Sequence, residues 1–184
     1  MSAVGERNEY GLTYGDRYRI LTRYRTIAMV GLSSNYYNAS SFAGIYLDAN
    51  GYDLVPVNPV QAGKHILGRP VYKDLYEAAA SHTRPIEIVD VFRPSRDVPA
   101  IARQAIDIGA KVLWTQLGVI HEEAAAMARK AGLEVVMDRC CKIEHARFFG
   151  GLRIIGLNTG VITSRLAMHV PEAEPALVSD ARGG

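Results

Sequence analysis

The sequence predicts an α/β fold: a doubly wound, mainly parallel five-stranded sheet forming a single domain. Three observations carry this. Short apolar runs alternate along the chain with segments of helical periodicity. The runs are apolar nearly throughout instead of alternating with polar residues, as in strands covered on both faces. The 184 residues, 48% of them hydrophobic, suffice for one well-buried core and fall short of two.

The elements follow in order. "DRYRILTRYR", from Asp16 to Arg25, places Tyr18, Ile20, Leu21 and Tyr24 at near-helical spacing with arginines between them. "IAMV", Ile27 to Val30, is the first strand and stops at Gly31. "SFAGIYLDAN" is a helix that ends at Asn50-Gly51, with Ser40 as its cap if the loop before it is an ordinary strand-to-helix connection, and "DLVPV" is the second strand. "VNPVQAGKHILGRPVY" is too rich in Pro and Gly for a helix, and reads as a long loop holding a short edge strand around Val71. The alternation resumes with a helix at "KDLYEAAA", a strand from Ile86 to Phe92, a helix at "SRDVPAIARQAIDIG", a strand at "KVLWTQ", a helix at "HEEAAAMARKAG" and a strand at "LEVVM". Residues 1–15 are expected as an N-terminal extension, 16–147 as the domain, and 148–184 as a C-terminal extension whose Pro-, Glu- and Ala-rich end is a mobile tail. Within that extension "GLRIIGLNTGVI" echoes "GLEVVMDRCCKI", a pattern common at the start of buried strands and not a repeat.

Composition narrows the function. The formal charge of +2 arises from mixed signs, which leaves no electrostatic footprint for nucleic acid. No run approaches the roughly 20 apolar residues of a membrane span, and "MSAVGERNEYG" lacks the apolar core of a signal peptide. The only cysteines, Cys140 and Cys141, are neighbours, which favours a reducing compartment and a cytoplasmic location. A small-molecule ligand is the expected partner, and a homodimer or a protein partner stays open.

Doubly wound sheets bind ligands outside the carboxyl ends of the strands, where the strand order reverses. The informative segments are therefore "GLSSN", "VNPVQ", "VFRPS", "TQLGV" and "MDRCCKIEH". In the first, Gly31 turns the backbone and Ser33, Ser34 and Asn35 lead to a helix N-terminus, an arrangement that accepts anions. It lacks G-x-G-x-x-G and G-K-[ST], and an ordinary strand-to-helix loop has an equal claim. "PVNP" carries no acid where a nicotinamide ribose would want one, and Asp48 and Asp53 are out of position, so NAD(P) is disfavoured. Asn58 offers an amide and Pro59 a flat apolar surface, although Pro59 alone reads as a turn former. Phe92 and Arg93 suit a base and a phosphate, or else Arg93 forms a rim ion pair with Asp97 or Asp90. Trp114 belongs to the core, while Gln116 and Leu117 face the crevice.

"MDRCCKIEH" gathers Asp138, Arg139, Cys140, Cys141, Lys142, Glu144 and His145. Adjacent cysteines in an extended chain point to opposite sides and no second C-x-x-C exists, so a metal site is not expected. A nucleophile pair between one cysteine and His145 or His121 is the catalytic alternative. His65, His82 and His169 read as solvated.

Taken together, "IAMVGLSSN", "GYDLVPVNPVQAGKHILGRPVY", "VDVFRPSRDVP", "AIDIGAKVLWTQLGVIHEEAAAMARKAGLEVVMDRCCKIEH" and, more weakly, "GLNTGVITSR" resemble the stand-alone CoA-binding proteins related to the N-terminal domain of the succinyl-CoA synthetase α subunit. The resemblance runs from about Arg19 to His145. It implies a Rossmann-like sheet holding coenzyme A or an acyl-CoA, with Gly31, Ser33, Ser34 and Asn35 along the phosphates and Gln116 and Leu117 adding contacts. The ligase's CoA-contacting lysine falls on Gln61 here, with Lys64 three residues on as the replacement charge. Asn58, Pro59, Phe92 and Arg93 complete the expected site. The ligase's phosphohistidine domain has no room after this one, so the leading expectation is binding without catalysis by the chain itself. An enzyme using Cys140 or Cys141, and an NAD(P)-binding protein, are the rival expectations.

Overall fold

The computed structural model describes residues 12–150. The expectations for residues 1–11 and 151–184, among them the mobile tail, His169 and the "GLRIIGLNTGVI" echo, lie outside the described residues.

Five parallel strands form the main sheet: β1 (Thr26–Val30), β2 (Asp53–Val57), β5 (Ile88–Val91), β6 (Val112–Thr115) and β7 (Glu134–Val136), in the order β2-β1-β5-β6-β7. Between β2 and β5 a two-stranded hairpin, β3 (His65–Ile66) and β4 (Arg69–Pro70), replaces the single edge strand expected near Val71. Tyr72 then runs beside the end of β2, its N–H bonded to Pro56 O at 2.9 Å.

The doubly wound arrangement follows from which residues each strand buries on each side. Ile27, Met29, Leu54, Ile88, Val112, Trp114 and Val136 pack under α1 (Tyr14–Arg23), α2 (Ala39–Ala49) and α6 (Cys141–Phe149). Ala28, Val30, Val55, Val57, Val89, Val91, Leu113 and Val135 face α3 (Leu75–Ser81), α4 (Val98–Asp107) and α5 (Glu122–Lys130). Apart from Asp90 on β5, both faces of the strands are therefore mainly apolar, and this is why the strands read as continuous runs. Trp114 is fully buried, as expected, and its Nε1–H donates to Arg139 O at 2.6 Å.

α6 is the element the sequence did not announce. Its buried residues are Cys141, Glu144, His145 and Phe148, a helical stripe that includes three ionisable groups. Glu144 is held by Arg17 from α1, whose Nε lies 2.8 Å from Oε2, and by Arg147 at 3.2 Å from Oε1. Arg17 also donates to Leu12 O at 3.0 Å. The Glu144 side chain is 1% exposed, so truncating it leaves a buried guanidinium without its counter-charge. Glu144→Ala is expected to cost about 3–5 kcal/mol in urea unfolding, and the double variant Arg17→Met, Glu144→Leu to recover most of the loss.

Candidate functional site

The strand order reverses between β1 and β5, so their chains leave in opposite directions and open a crevice at the carboxyl end of the sheet. Gly31 closes its floor. Its φ is +94° and its N–H bonds to Val57 O at 2.7 Å, turning the chain toward β2. A Cβ there would lie 2.6 Å from Phe92 O and 3.0 Å from Arg93 Cδ, so only glycine lets the two loops meet. Gly31, Phe92 and Arg93 are thereby brought together as expected. Phe92 is half-buried, and Arg93 Nε and Nη2 each lie 3.0 Å from Asp97 Oδ2, the rim ion pair. Asp90, the other partner considered for Arg93, is buried inside the sheet and does not reach it.

The first loop is organised by its own hydroxyls. Ser33 N–H donates to Ser40 Oγ at 3.2 Å, Asn35 N–H to Ser33 Oγ at 3.1 Å, and Ser41 Oγ–H lies 2.6 Å from Ser33 O. Ser40 thus ties the loop and does not cap α2; Asn38 holds the N-cap position, with no side-chain cap bond. The first turn of α2 also lacks an acid, whereas those of α1, α3 and α5 hold Asp16, Glu77, Glu122 and Glu123. Its dipole therefore stays uncompensated, a favourable end for an anion.

After β2, Asn58 is buried and its amide bridges two loops, donating to Leu32 O at 2.9 Å and accepting from Val60 N–H at 3.1 Å. Pro59 is exposed beside it. Gln61 takes the place nearest the first loop: Ser34 N–H donates to its Oε1 at 3.1 Å and its Nε2 donates to Ser34 Oγ at 3.0 Å. Lys64 lies beyond the turn, exposed, with its N–H bonded to Gln61 O. Asp48 pairs with Arg69 and Asp53 with His82, and Asp53 begins β2, so neither acid stands at the strand end where a nicotinamide ribose would need one. His82 is accordingly a hydrogen-bond partner of Asp53, 3.0 Å from its Oδ2, and not a freely solvated side chain.

At the far side Leu117 is exposed, while Gln116 turns inward and donates to Asp90 Oδ1 at 2.5 Å. Asp90 Oδ2 is the one buried side-chain oxygen without a hydrogen-bond partner among the described residues. Burial pushes this carboxyl up to about 7, with the Gln116 amide pulling the other way. Burial also raises both thiols, Cys141 far more than Cys140, and Asp90 adds to each. Only Cys140 keeps an extended backbone, as the N-cap of α6; Cys141 is the first residue of the helix, so the pair does not alternate as in a strand. His145 Nδ1 shares a 3.0 Å hydrogen bond with Tyr46 OH, and His121 Nδ1 accepts from Ala124 N–H, so both imidazoles have partners other than a thiol. Among the described residues no cluster of three or more metal-ligating side chains occurs, and no helix is long and apolar enough to cross a membrane. Sequence reasoning missed Asp90 as a site feature, although an acid inside the apolar run "IVDV" was its signal.

A family model described as a CoA binding domain matches residues 25–146. YneT of Bacillus subtilis (strain 168), an uncharacterized protein, is 37% identical over 127 residues, covering 69% of this chain and 90% of its own. A hypothetical protein from Pyrococcus horikoshii OT3 is 37% identical with a TM-score of 0.71, over 82% of this chain and all of that one. A protein from Thermus thermophilus is 28% identical with a TM-score of 0.69, over 75% of this chain.

The position of Asp90 has a thermodynamic signature. Its folded carboxyl titrates near 7 against an ordinary value of 3.8, so the folded state holds the proton more tightly. Stability conferred by this group is greatest below about 4, falls as pH rises toward 7 and is level above. Asp90→Asn is expected to remove a fall of roughly 2–4 kcal/mol across that interval, read as the difference between wild-type and variant urea midpoints from pH 4 to 8.

Proposed function

Because this chain belongs to the CoA-binding domain family, we propose that it binds coenzyme A or an acyl-CoA across the carboxyl ends of β1, β2 and β5, and does so without catalysing a reaction by itself. The observation that carries this reading is the meeting of Gly31 with Phe92 and Arg93 at the reversal of strand order, beside an α2 N-terminus free of acidic residues. The residues fit the ligand in kind. Ser33, Ser34 and Asn35 border the phosphate path. Asn58 fixes the height of the first loop from below, with Pro59 offering its flat ring beside it. Phe92 supplies an aromatic face, and Arg93 is a guanidinium within the same crevice. Gln61, the position where the resemblance implies the ligase's lysine, holds the Ser34 amide that a phosphate would otherwise engage; Lys64 supplies charge from the neighbouring turn. On the far side Leu117 faces outward as an apolar contact, while Gln116 supports that edge through Asp90.

Absence of catalysis is supported by the thiols and imidazoles. A nucleophilic cysteine needs its thiolate, and burial moves both thiols away from it. The NAD(P) reading is weakened by the missing acid at the end of β2.

Isothermal titration of the full chain should give a binding isotherm with CoA, with adenosine 3′,5′-bisphosphate retaining most of the affinity and NADH failing to compete. Ser34→Asp, which sets a negative charge against the phosphates, is expected to weaken CoA binding about tenfold or more. Gln61→Lys releases the Ser34 amide and adds a cation, and should tighten it several-fold at low salt with the gain fading as salt rises. No heat from either CoA or the bisphosphate overturns the reading.

A further inference from the structure

A cleft opens beside the first loop, between α2 and the β3–β4 hairpin, enclosing about 370 Å³ of space that is partly open to solvent. Only eight residues line it, so the cleft holds one end of a CoA-sized molecule and not the whole. Its walls are apolar: Leu32, Tyr36, Ile45, Ile66 and Leu67. Three serines also border it, but their polar groups serve the loop. Ser33 Oγ accepts from Asn35 N–H, Ser34 Oγ accepts from Gln61, and Ser41 Oγ donates to Ser33 O. None of the described residues lining the cleft is charged.

Leu67 shows that this wall is specified at a cost. It sits at the tip of the hairpin with φ +51°, followed by Gly68 at +72°, the two positive φ values of a tight two-residue turn. Asn or Gly normally fills the first position, and leucine there is strained. Its isobutyl group reaches Gly44 on α2, where a Cβ would meet Leu67 Cδ1 at 3.4 Å and Leu32 Cδ1 at 3.1 Å. The glycine on the helix and the leucine in the turn together shape the apolar floor. At the mouth, Ile45 is 38% and Tyr36 69% exposed, apolar surface left in solvent next to the first loop.

We propose that this cleft is an acyl subsite, which takes a short apolar acyl group carried on the thioester of an acyl-CoA whose phosphates lie along the first loop. The proposal rests on the CoA reading above and adds the class of acyl group. An apolar chain of a few carbons gains by leaving water, whereas an acyl group ending in a carboxylate would lose its hydration with no cation to meet it.

The test is titration of the full chain with adenosine 3′,5′-bisphosphate, CoA, butyryl-CoA and succinyl-CoA. Butyryl-CoA is expected to bind about tenfold more tightly than CoA, and succinyl-CoA no more tightly than CoA. Leu67→Asn, which suits the turn and keeps it folded, and separately Ile45→Ser, should bring butyryl-CoA to within about twofold of CoA while leaving CoA and the bisphosphate unchanged. Equal binding of CoA and butyryl-CoA by the wild-type chain overturns the acyl subsite and leaves the CoA reading standing. Loss of bisphosphate affinity in Leu67→Asn or Ile45→Ser overturns it as well, since the cleft would then hold the adenine end. Failure of both CoA and the bisphosphate to bind overturns the CoA reading, and the subsite with it.

Discussion

The crevice depends on the approach of Gly31 to the Phe92 carbonyl. β1 and β5 are hydrogen-bonded neighbours, and Phe92 N–H still donates to Val30 O at 2.8 Å, so the two chains part within a single residue. Gly31 makes the turn with its N–H on Val57 O of β2, which anchors the first loop to the strand on its other side. Any side chain at this position would drive the Phe92 carbonyl away and open the switch in strand order. The rest of the loop is then positioned from there: Leu32 O on the Asn58 amide, Ser33 N–H on Ser40, Ser34 on Gln61. Each bond ties the loop to α2 or to the segment after β2, so the whole carboxyl edge is built outward from one backbone contact.

How legible an element was in the sequence depended on whether its buried residues were apolar. The five main strands bury both faces in Val, Ile, Leu and Ala, and their runs stood out. The hairpin did not, because strands of two residues are shorter than any alternation pattern and Leu67-Gly68 is not a usual turn pair. α6 was hidden for a different reason. Its buried positions 141, 144, 145 and 148 have helical spacing, but Cys, Glu and His occupy three of them. An apolar-periodicity reading passes over such a stripe, and only the partners Arg17 and Tyr46 on other helices show why those residues tolerate burial.

The strand-end segments were legible in location, and their side chains less so in direction. Residues immediately after strands did gather at the crevice, because topology alone sends them there. Where their side chains point depends on local competition for backbone groups, and short amides are effective competitors. Asn58 bonds Leu32 O, Gln116 bonds Asp90, and Gln61 pairs with Ser34, although the resemblance had tied both Gln116 and Gln61 to ligand-facing positions. Ser40 was misassigned on the same ground, since a serine at a helix start caps in many proteins but here the loop N–H of Ser33 reaches it first.

The two sides of the crevice are built differently, and this bears on which side adapts to a ligand. At the β6–β7 side the loops are stitched to each other: Gly118 N–H to Asp138 Oδ1 at 2.7 Å, Thr115 Oγ1–H to Val119 O at 2.6 Å, Arg139 N–H to Thr115 O at 3.1 Å, and the Trp114 indole to Arg139 O. The Thr115 and Trp114 side-chain bonds are part-buried and the Gly118 bond is exposed, and shifting that edge would break several together. At the first loop, Ser34, Asn35, Tyr36 and Tyr37 are exposed, and the Gln61 to Ser34 pair is a neutral side-chain contact in solvent reach. Such a pair contributes about 1 kcal/mol or less and is readily exchanged for a charged acceptor. Adjustment to a ligand at this edge would therefore fall on the loop after β1, while the sheet beneath, fixed by the contact at Gly31, keeps its place.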